Sequence, residues 1–198
     1  MTQIVAALLI VPWLYGLHVL KRAGLKFWRF LLGSVGLFIV LMMLVRPWAM
    51  QPLAQSVAAL AGLFGKLTAT FEAYFKYGVI FIDSAAGAMT LKIDFECSGI
   101  VEIMAFVSLL AFFDVYRRSE RLIVGALGVL AIVLANVVRI ILIAEIIHIG
   151  GTQWYYIAHS LVGRIVFYAF TVVLYFYVFT KPQIVRMKVG RFAYERDS

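Results

Sequence analysis

The chain contains one cysteine, Cys97, and what its thiol can do depends on the polar residues that reach it. A thiolate is a nucleophile, a histidine exchanges protons near neutral pH, and an arginine can stabilise an oxyanion. His159 and Arg139 are residues of these types that lie beside or within long apolar stretches. Cys97, Arg139 and His159 are therefore the candidate catalytic residues of a set suited to acyl transfer.

Four further polar residues are candidate supporting residues: Ser98, Glu102, Asn136 and Arg164. Asn136 and Arg139 are three residues apart and therefore share one face of a helix. Structural explanations compete with these roles. A lone cysteine is often a small apolar packing residue, Ser98 could cap a helix, and Glu102 or Glu145 could pair with a buried arginine.

The composition indicates a membrane protein. Hydrophobic residues make up 64% of the 198 residues and charged residues only 14%, more apolar surface than a soluble domain of this length can bury. The net charge of +8 comes from basic residues between apolar segments, where they would contact membrane lipid, so we expect no nucleic-acid partner. The single cysteine excludes an intramolecular disulfide, and the three histidines lack metal-ligand spacing. We therefore expect no metal or other cofactor.

The fold class that follows is an all-α, polytopic helix bundle. Five apolar segments are close to the ~20 residues that cross a hydrocarbon core: residues 4–20, 30–48, 98–115, 122–147 and 160–180. The apolar character and length of the segments support this count.

The basic residues predict the orientation of the bundle. They cluster at 21–29, 117–121 and 181–196, which a five-span bundle places on one side. The positive-inside rule makes that side cytoplasmic, with the N-terminus outside, the C-terminus inside and a multi-pass location in the cell membrane. We predict one integral membrane domain with an outer-side insert and a cytoplasmic tail: 1–198, about 49–97 and about 181–198.

The outer-side insert has structure of its own. Residues 52–75 indicate an interfacial or re-entrant helix, interrupted by Gly62 and Gly65 and carrying charged residues that disfavour a sixth span. Residues 79–95 indicate two short β-runs, which form a hairpin that leads directly into Cys97.

Helix rise places the three candidate residues at one depth. From Arg121, at the inner end of the fourth segment, to Arg139 is about 27 Å at 1.5 Å per residue, against a hydrocarbon core of about 30 Å. Cys97 and His159 stand at the outer ends of the third and fifth segments. The candidate active site is therefore predicted at the extracytoplasmic face.

The same placement leads to an expectation for the thiol. A helix N-terminus and the Arg139 guanidinium should both stabilise the Cys97 anion and lower the thiol pKa. Glu96 opposes a neighbouring thiolate, so its carboxylate should face water or contact the substrate.

The blocks ECSGI, NVVRI and AHSLVGRIVFY, in this order at the outer ends of successive helices, resemble the exosortase/archaeosortase family of membrane cysteine transpeptidases. The resemblance covers roughly residues 97–170, and the short chain is similar to a compact subtype. It implies that Cys97 is the nucleophile, that His159 is the acid/base and that Arg139 stabilises the thiolate or oxyanion.

The resemblance also implies a substrate class. These enzymes act on exported proteins with a C-terminal sorting signal, which consists of a short motif, a transmembrane helix and a basic cluster. A thioester at Cys97 would pass the product to an acceptor amine or to water. The competing interpretation is a non-enzymatic integral membrane protein, such as a small transporter subunit whose buried Arg/Glu pairs line a polar path.

Overall fold

The computed structural model describes residues 2–84 and 87–184, with residues 2–9 described by their backbone. The described chain is mostly helical, with six helices: α1 (Thr2–Arg22), α2 (Lys26–Leu44), α3 (Arg46–Thr68), α4 (Ile100–Phe112), α5 (Arg118–Gly150) and α6 (Thr152–Ile184). An antiparallel sheet stands between α3 and α4, with strands β1 (Phe71–Tyr74), β2 (Val79–Ser84) and β3 (Gly87–Lys92) in that order. Most of the predicted cytoplasmic tail, residues 185–198, lies outside the described residues.

Within the described residues, three helices are long and apolar enough to cross a membrane, namely α2, α5 and α6. The predicted fourth and fifth segments lie inside α5 and α6. Helix α4 has only 13 residues, or about 20 Å, which is shorter than a hydrocarbon core of about 30 Å. The predicted count of five spans is therefore not confirmed. The predicted second segment also runs too far, since α2 ends at Leu44 and Trp48 belongs to α3.

Helix α4 is short because both of its ends are fixed. At the start, Gly99 is the N-cap with a φ of +76°, a left-handed conformation that residues with a Cβ adopt only with strain. At the end, Phe113 is extended. Arg121 of α5 then donates to the carbonyls of Ala111 (2.8 Å) and Phe113 (2.9 Å), which the last turn of α4 leaves unpaired.

Arg121→Ala should therefore destabilise the protein through α4. Loss of two charge-assisted hydrogen bonds to partly buried carbonyls should cost about 1–3 kcal/mol. Thermal unfolding in detergent would show a lower midpoint than the wild type. Arg118→Ala, which removes an exposed arginine from the first turn of the same helix, is the matched control. An equal loss in both variants would contradict the capping role.

The predicted outer-side insert is a helix packed on a sheet. The hairpin prediction is confirmed by β2 and β3, whose register pairs Ile80 with Leu91. Two details were wrong. Residues 71–74 form strand β1 and not helix, because the α3 helix ends at Ala69 in a left-handed conformation. The glycines do not interrupt α3 either, since a Cβ at Gly62 would lie 2.6 Å from that of Ala73, so the missing side chain lets the helix touch the sheet.

Two apolar cores are stacked along α5. The sheet-side core joins α3, the sheet and the last part of α5 and includes Val57, Ala61, Ile80, Ile82, Ile143 and Ile147. The bundle core joins α4, α5 and α6 and includes Phe106, Leu110, Ile132, Ala135, Phe167 and Val178. Helix α5 has 33 residues, or about 50 Å, and is therefore long enough to run through both cores. Arg139 lies between them, flanked by Ala135 of the bundle core and Ile140 of the sheet-side core.

Candidate active site

Cys97 lies in the short connection between β3 and α4, and the backbone on both sides of it is held. The Ile93 amide donates to the carbonyl of Gly78 (2.8 Å) and the Cys97 amide to that of Asp94 (3.2 Å). From α5, the Asn136 side-chain amide donates to the Cys97 carbonyl at 2.7 Å. Asn136 is fully buried and Cys97 is 1% exposed. The thiol is therefore placed by the sheet, by the start of α4 and by a side chain of α5.

His159 approaches the thiol from α6. It lies in a π-helical turn, Ile157–Val162, which widens the helix at this point. Its Nε2 is 2.7 Å from the Cys97 Sγ. The imidazole also stacks on Tyr155, with ring centroids 5.4 Å apart and planes at 22°. Because His159 is partly exposed and Cys97 is not, a substrate would reach the thiol past the imidazole.

Arg139, on α5, is the third residue of the cluster. The guanidinium is 3% exposed, and its Nη2 is 3.9 Å from the Cys97 Sγ. Its Nη1 donates to the Glu96 carbonyl at 3.3 Å, and its Cζ lies 5.5 Å from the centre of the Phe167 ring. Among the described residues, Nε has no hydrogen-bond partner although it is buried. A buried, unpaired donor next to the thiol is available to a group that binds there.

The carboxylates that the sequence offered as possible structural partners do not pair with the two arginines. Arg139 forms no ion pair with Glu102 or Glu145 in the described chain, and Glu145 instead accepts a hydrogen bond from Thr70 at 2.6 Å. Arg164 pairs with Glu96 at 3.5 Å and not with Glu102. Buried Arg/Glu pairs are therefore lacking among the described residues, and they were the feature on which the transporter-subunit interpretation depended.

Glu96 faces away from the thiol. Its side chain is 67% exposed and that of its partner Arg164 is 46% exposed. Its backbone carbonyl contacts the site directly, as an acceptor for Arg139. The carboxylate beside the cysteine therefore takes the first of the two expected positions, toward water, and the pair with Arg164 links the start of α4 to α6.

Ser98 serves the local structure. Its hydroxyl donates to the Phe95 carbonyl (3.2 Å) and accepts from the Ile100 amide (3.4 Å). The second contact satisfies one free amide at the start of α4, but the N-cap position itself is held by Gly99 and not by Ser98. Glu102 points into a groove along α4, described below. Of the four candidate supporting residues, Asn136 contacts the cysteine segment directly and Arg164 reaches it through Glu96.

The expected lowering of the thiol pKa is wrong. Burial raises the pKa of the Cys97 thiol from 9.0 to about 11; the Arg139 guanidinium lowers it, and the carboxylates of Asp94 and Glu96 add to the rise. Desolvation of the thiolate thus outweighs the guanidinium. A raised pKa favours the protonated thiol at neutral pH, and the His159 Nε2 lies within hydrogen-bond distance of its sulfur.

The order of these contributions predicts the pH dependence of alkylation. The rate of Cys97 alkylation rises as the pH approaches the thiol pKa, because the thiolate is the reacting form. Arg139→Gln removes the positive charge that lowers the thiol pKa most. The midpoint of the alkylation rate against pH should therefore move to higher pH. At a fixed pH below that midpoint, alkylation should slow about tenfold for each unit by which the pKa rises. Arg164→Gln should move it in the same direction by less, and Asp94→Asn should move it to lower pH.

Iodoacetamide labelling over a pH series, followed by mass spectrometry, measures this midpoint. The midpoint reports the pKa, whereas the absolute rate also reports access to a buried thiol. A midpoint that stays the same in Arg139→Gln would contradict an electrostatic role for this arginine.

Two residues of the cluster were not among the sequence candidates. Tyr155 stacks on His159 from four residues earlier on α6, and this i, i+4 spacing was the available signal. Asp94 acts on the thiol pKa through space and carries the turn that presents Cys97. Its position at the end of the predicted hairpin gave no indication of this.

The comparisons with known proteins identify the family of the chain. A family model described as transmembrane exosortase matches residues 1–177 of the 198. The match extends well beyond residues 97–170, where the motifs lie, and includes α1 to α3 and the sheet. No match was found among curated proteins or among solved structures. With most of its length matched, the chain belongs to the transmembrane exosortase family.

Proposed function

We propose that the protein is a membrane-embedded cysteine transpeptidase that cleaves the C-terminal sorting signals of exported proteins and transfers the product to an acceptor. The observation that carries this proposal is the 2.7 Å contact between the Cys97 Sγ and the His159 Nε2, with the Arg139 guanidinium beside the same sulfur. Nucleophile, base and cation come from three different segments, and packing alone gives no reason for them to meet.

The proposed reaction starts from a protonated thiol, so proton removal accompanies bond formation. As the Sγ attacks the scissile carbonyl carbon, the His159 Nε2 takes the thiol proton, and the electron pair of the C=O bond moves to the oxygen. Arg139 can stabilise that oxyanion, since a guanidinium donor in a buried site is worth far more than one in water. Its unpaired Nε is a donor that the resting site does not use.

Collapse of the tetrahedral intermediate breaks the C–N bond. The leaving amine takes its proton from the His159 imidazolium, and a thioester remains on Cys97. An acceptor amine, deprotonated by the same imidazole, then attacks the thioester carbonyl. The thiol leaves as the new amide forms and recovers its proton from His159. Water in place of the amine gives hydrolysis.

The location of the site supports action at the outer membrane face. The basic ends of the helices lie away from Cys97: Lys21 and Arg22 end α1, and Arg118 begins α5. By the positive-inside rule that end is cytoplasmic. From Arg118 to Arg139 is about 31 Å along α5, close to the thickness of the hydrocarbon core. A substrate held by its own membrane helix would bring the scissile bond to this level at little entropic cost.

Trapping with hydroxylamine tests the proposal. The purified protein is incubated in vesicles with a membrane-anchored tripartite-signal protein and hydroxylamine as the acceptor amine. A thioester route should release the substrate's N-terminal part as a hydroxamate, which mass spectrometry identifies. Release of only the free acid, at a rate that hydroxylamine does not alter, would contradict acyl transfer.

A further inference from the structure

A groove of about 700 Å³ runs along the side of the bundle between α2, α4 and α6. It follows α4 from Val101 to Phe113 and α6 from Tyr168 to Gln183, and its lining is almost entirely apolar. On α6 this is a distance of about 22 Å. Apolar faces of a membrane helix bundle normally contact lipid, but this one is concave and long enough for several turns of a helix.

The groove begins beside the candidate active site. Val101 is four residues after Cys97, and Ile100 starts α4. A helix lying in the groove would therefore present its outer end to the thiol. Cys97, Arg139 and His159 do not line the groove, but α4 begins three residues after Cys97 and α6 carries His159 nine residues before Tyr168.

One carboxylate, Glu102, lines this apolar groove. It lies in the first turn of α4 and forms no hydrogen bond or ion pair with any residue that the structure describes, although the Tyr175 side chain, which lines the same groove, is close enough to interact with its charge. A carboxylate in a membrane helix is costly unless it is paired. The arginines that could have satisfied Glu102 are engaged elsewhere, Arg139 with the cysteine segment and Arg164 with Glu96.

We infer that this groove docks a single apolar transmembrane helix, that of the sorting-signal substrate, and that Glu102 accepts a hydrogen bond from a side chain in the first turns of that helix. The inference rests on the proposed function and adds where the substrate helix lies and what it must carry. A lipid acyl chain would fill the groove but offers no donor for Glu102. A substrate helix with a serine, threonine or basic residue at that level satisfies both the apolar lining and the carboxylate.

Directed disulfide cross-linking tests this docking without any cleavage. Because Cys97 is the one cysteine of the chain, Cys97→Ser gives a cysteine-free protein. Leu109→Cys then places a thiol in the groove. Leu130→Cys on α5 is the matched control, since Leu130 is 52% exposed outside the groove. Leu130 lies nine residues before Arg139 on α5, and Leu109 lies nine residues after Ile100 on α4. The two positions are therefore at similar distances along their helices from the level of the candidate site.

The probe is a 22-residue leucine/alanine transmembrane peptide with one cysteine at its midpoint, one serine in its first turn and lysines at its other end. A twin peptide has alanine in place of the serine. Both are reconstituted with the protein in phosphatidylethanolamine/phosphatidylglycerol vesicles, oxidised with copper phenanthroline and scored on non-reducing gels.

The serine peptide should cross-link to Leu109→Cys at least about three times as well as to Leu130→Cys. That preference should disappear with the twin peptide and with Glu102→Leu added to the protein. Equal yields at the two positions, or a preference that ignores both the serine and Glu102, would overturn the inference. Because the assay needs no turnover, hydroxamate release together with equal cross-linking would reject the docking site alone and leave the proposed function intact.

Discussion

Cys97→Ala should abolish processing of a tripartite-signal substrate. The thiol is the bond-forming atom of the proposed mechanism, so no other side chain can replace it. Removal of a nucleophile that acts together with a base lowers turnover by about 10⁴-fold or more. The expected residual activity is below detection when substrate and variant are co-expressed and the cleaved fraction is followed on immunoblots.

The matched control is Ser98→Ala, the same kind of truncation at the next residue. Ser98 makes only local hydrogen bonds with the backbone of Phe95 and Ile100, so this variant should lose no more than a few-fold in activity. Both variants must accumulate in the membrane at the wild-type level. Substantial processing by Cys97→Ala would show that the cysteine is a packing residue.

His159→Gln should lower turnover by about 10²–10⁴-fold, the usual contribution of a general acid–base. Glutamine keeps the size and polarity of the side chain but cannot take the thiol proton. The loss should be largest near neutral pH, where the Cys97 thiol, with its pKa raised to about 11, is protonated. Raising the pH should restore part of the activity, because hydroxide then supplies the thiolate without the imidazole.

His148→Gln is the control for this variant. His148 lies at the end of α5 and contacts the Asp83 carbonyl through its Nδ1 at 2.6 Å, away from the cysteine. Its replacement should leave the pH–rate profile unchanged. If His159→Gln lost activity equally at every pH, the histidine would hold the site together without transferring the proton.

Elementary geometry predicted the convergence of the three candidate residues. The rise of α5 placed Arg139 near the outer boundary, and helix direction brought Cys97 and His159 to the same level. The structure then adds the contacts that spacing cannot give. A turn of π-helix around His159 and a left-handed Gly99 set the direction of the side chains, and neither follows from hydrophobic periodicity.

The sequence was less informative about electrostatics and about the insert. The helix terminus and Arg139 favour the thiolate, but how much desolvation opposes them depends on burial, which is a tertiary property. Likewise, β1 was assigned to a helix because its residues continue the apolar pattern of α3. The strand forms because residues 71–74 pair with β2, an interaction that local propensity does not contain.

The partners of Glu96 and Arg139 show the same limit. The sequence offered a carboxylate as a possible partner of Arg139. In the structure its guanidinium instead contacts the Glu96 carbonyl, the Phe167 ring and the Cys97 thiol. The Glu96 carboxylate instead forms an ion pair with Arg164 at the surface. The unpaired Nε of Arg139 is the donor that the proposed oxyanion role uses.

The covalent intermediate is the decisive species. Wild-type protein mixed with a tripartite-signal substrate, quenched in acid and digested, should yield a Cys97 peptide heavier by the mass of the substrate's acyl portion. Hydroxylamine should remove that mass, as expected of a thioester, and Ser98→Ala should show the same adduct. Cleavage of the substrate by the wild type without any adduct on Cys97, even when the acceptor is withheld, would contradict a thioester mechanism.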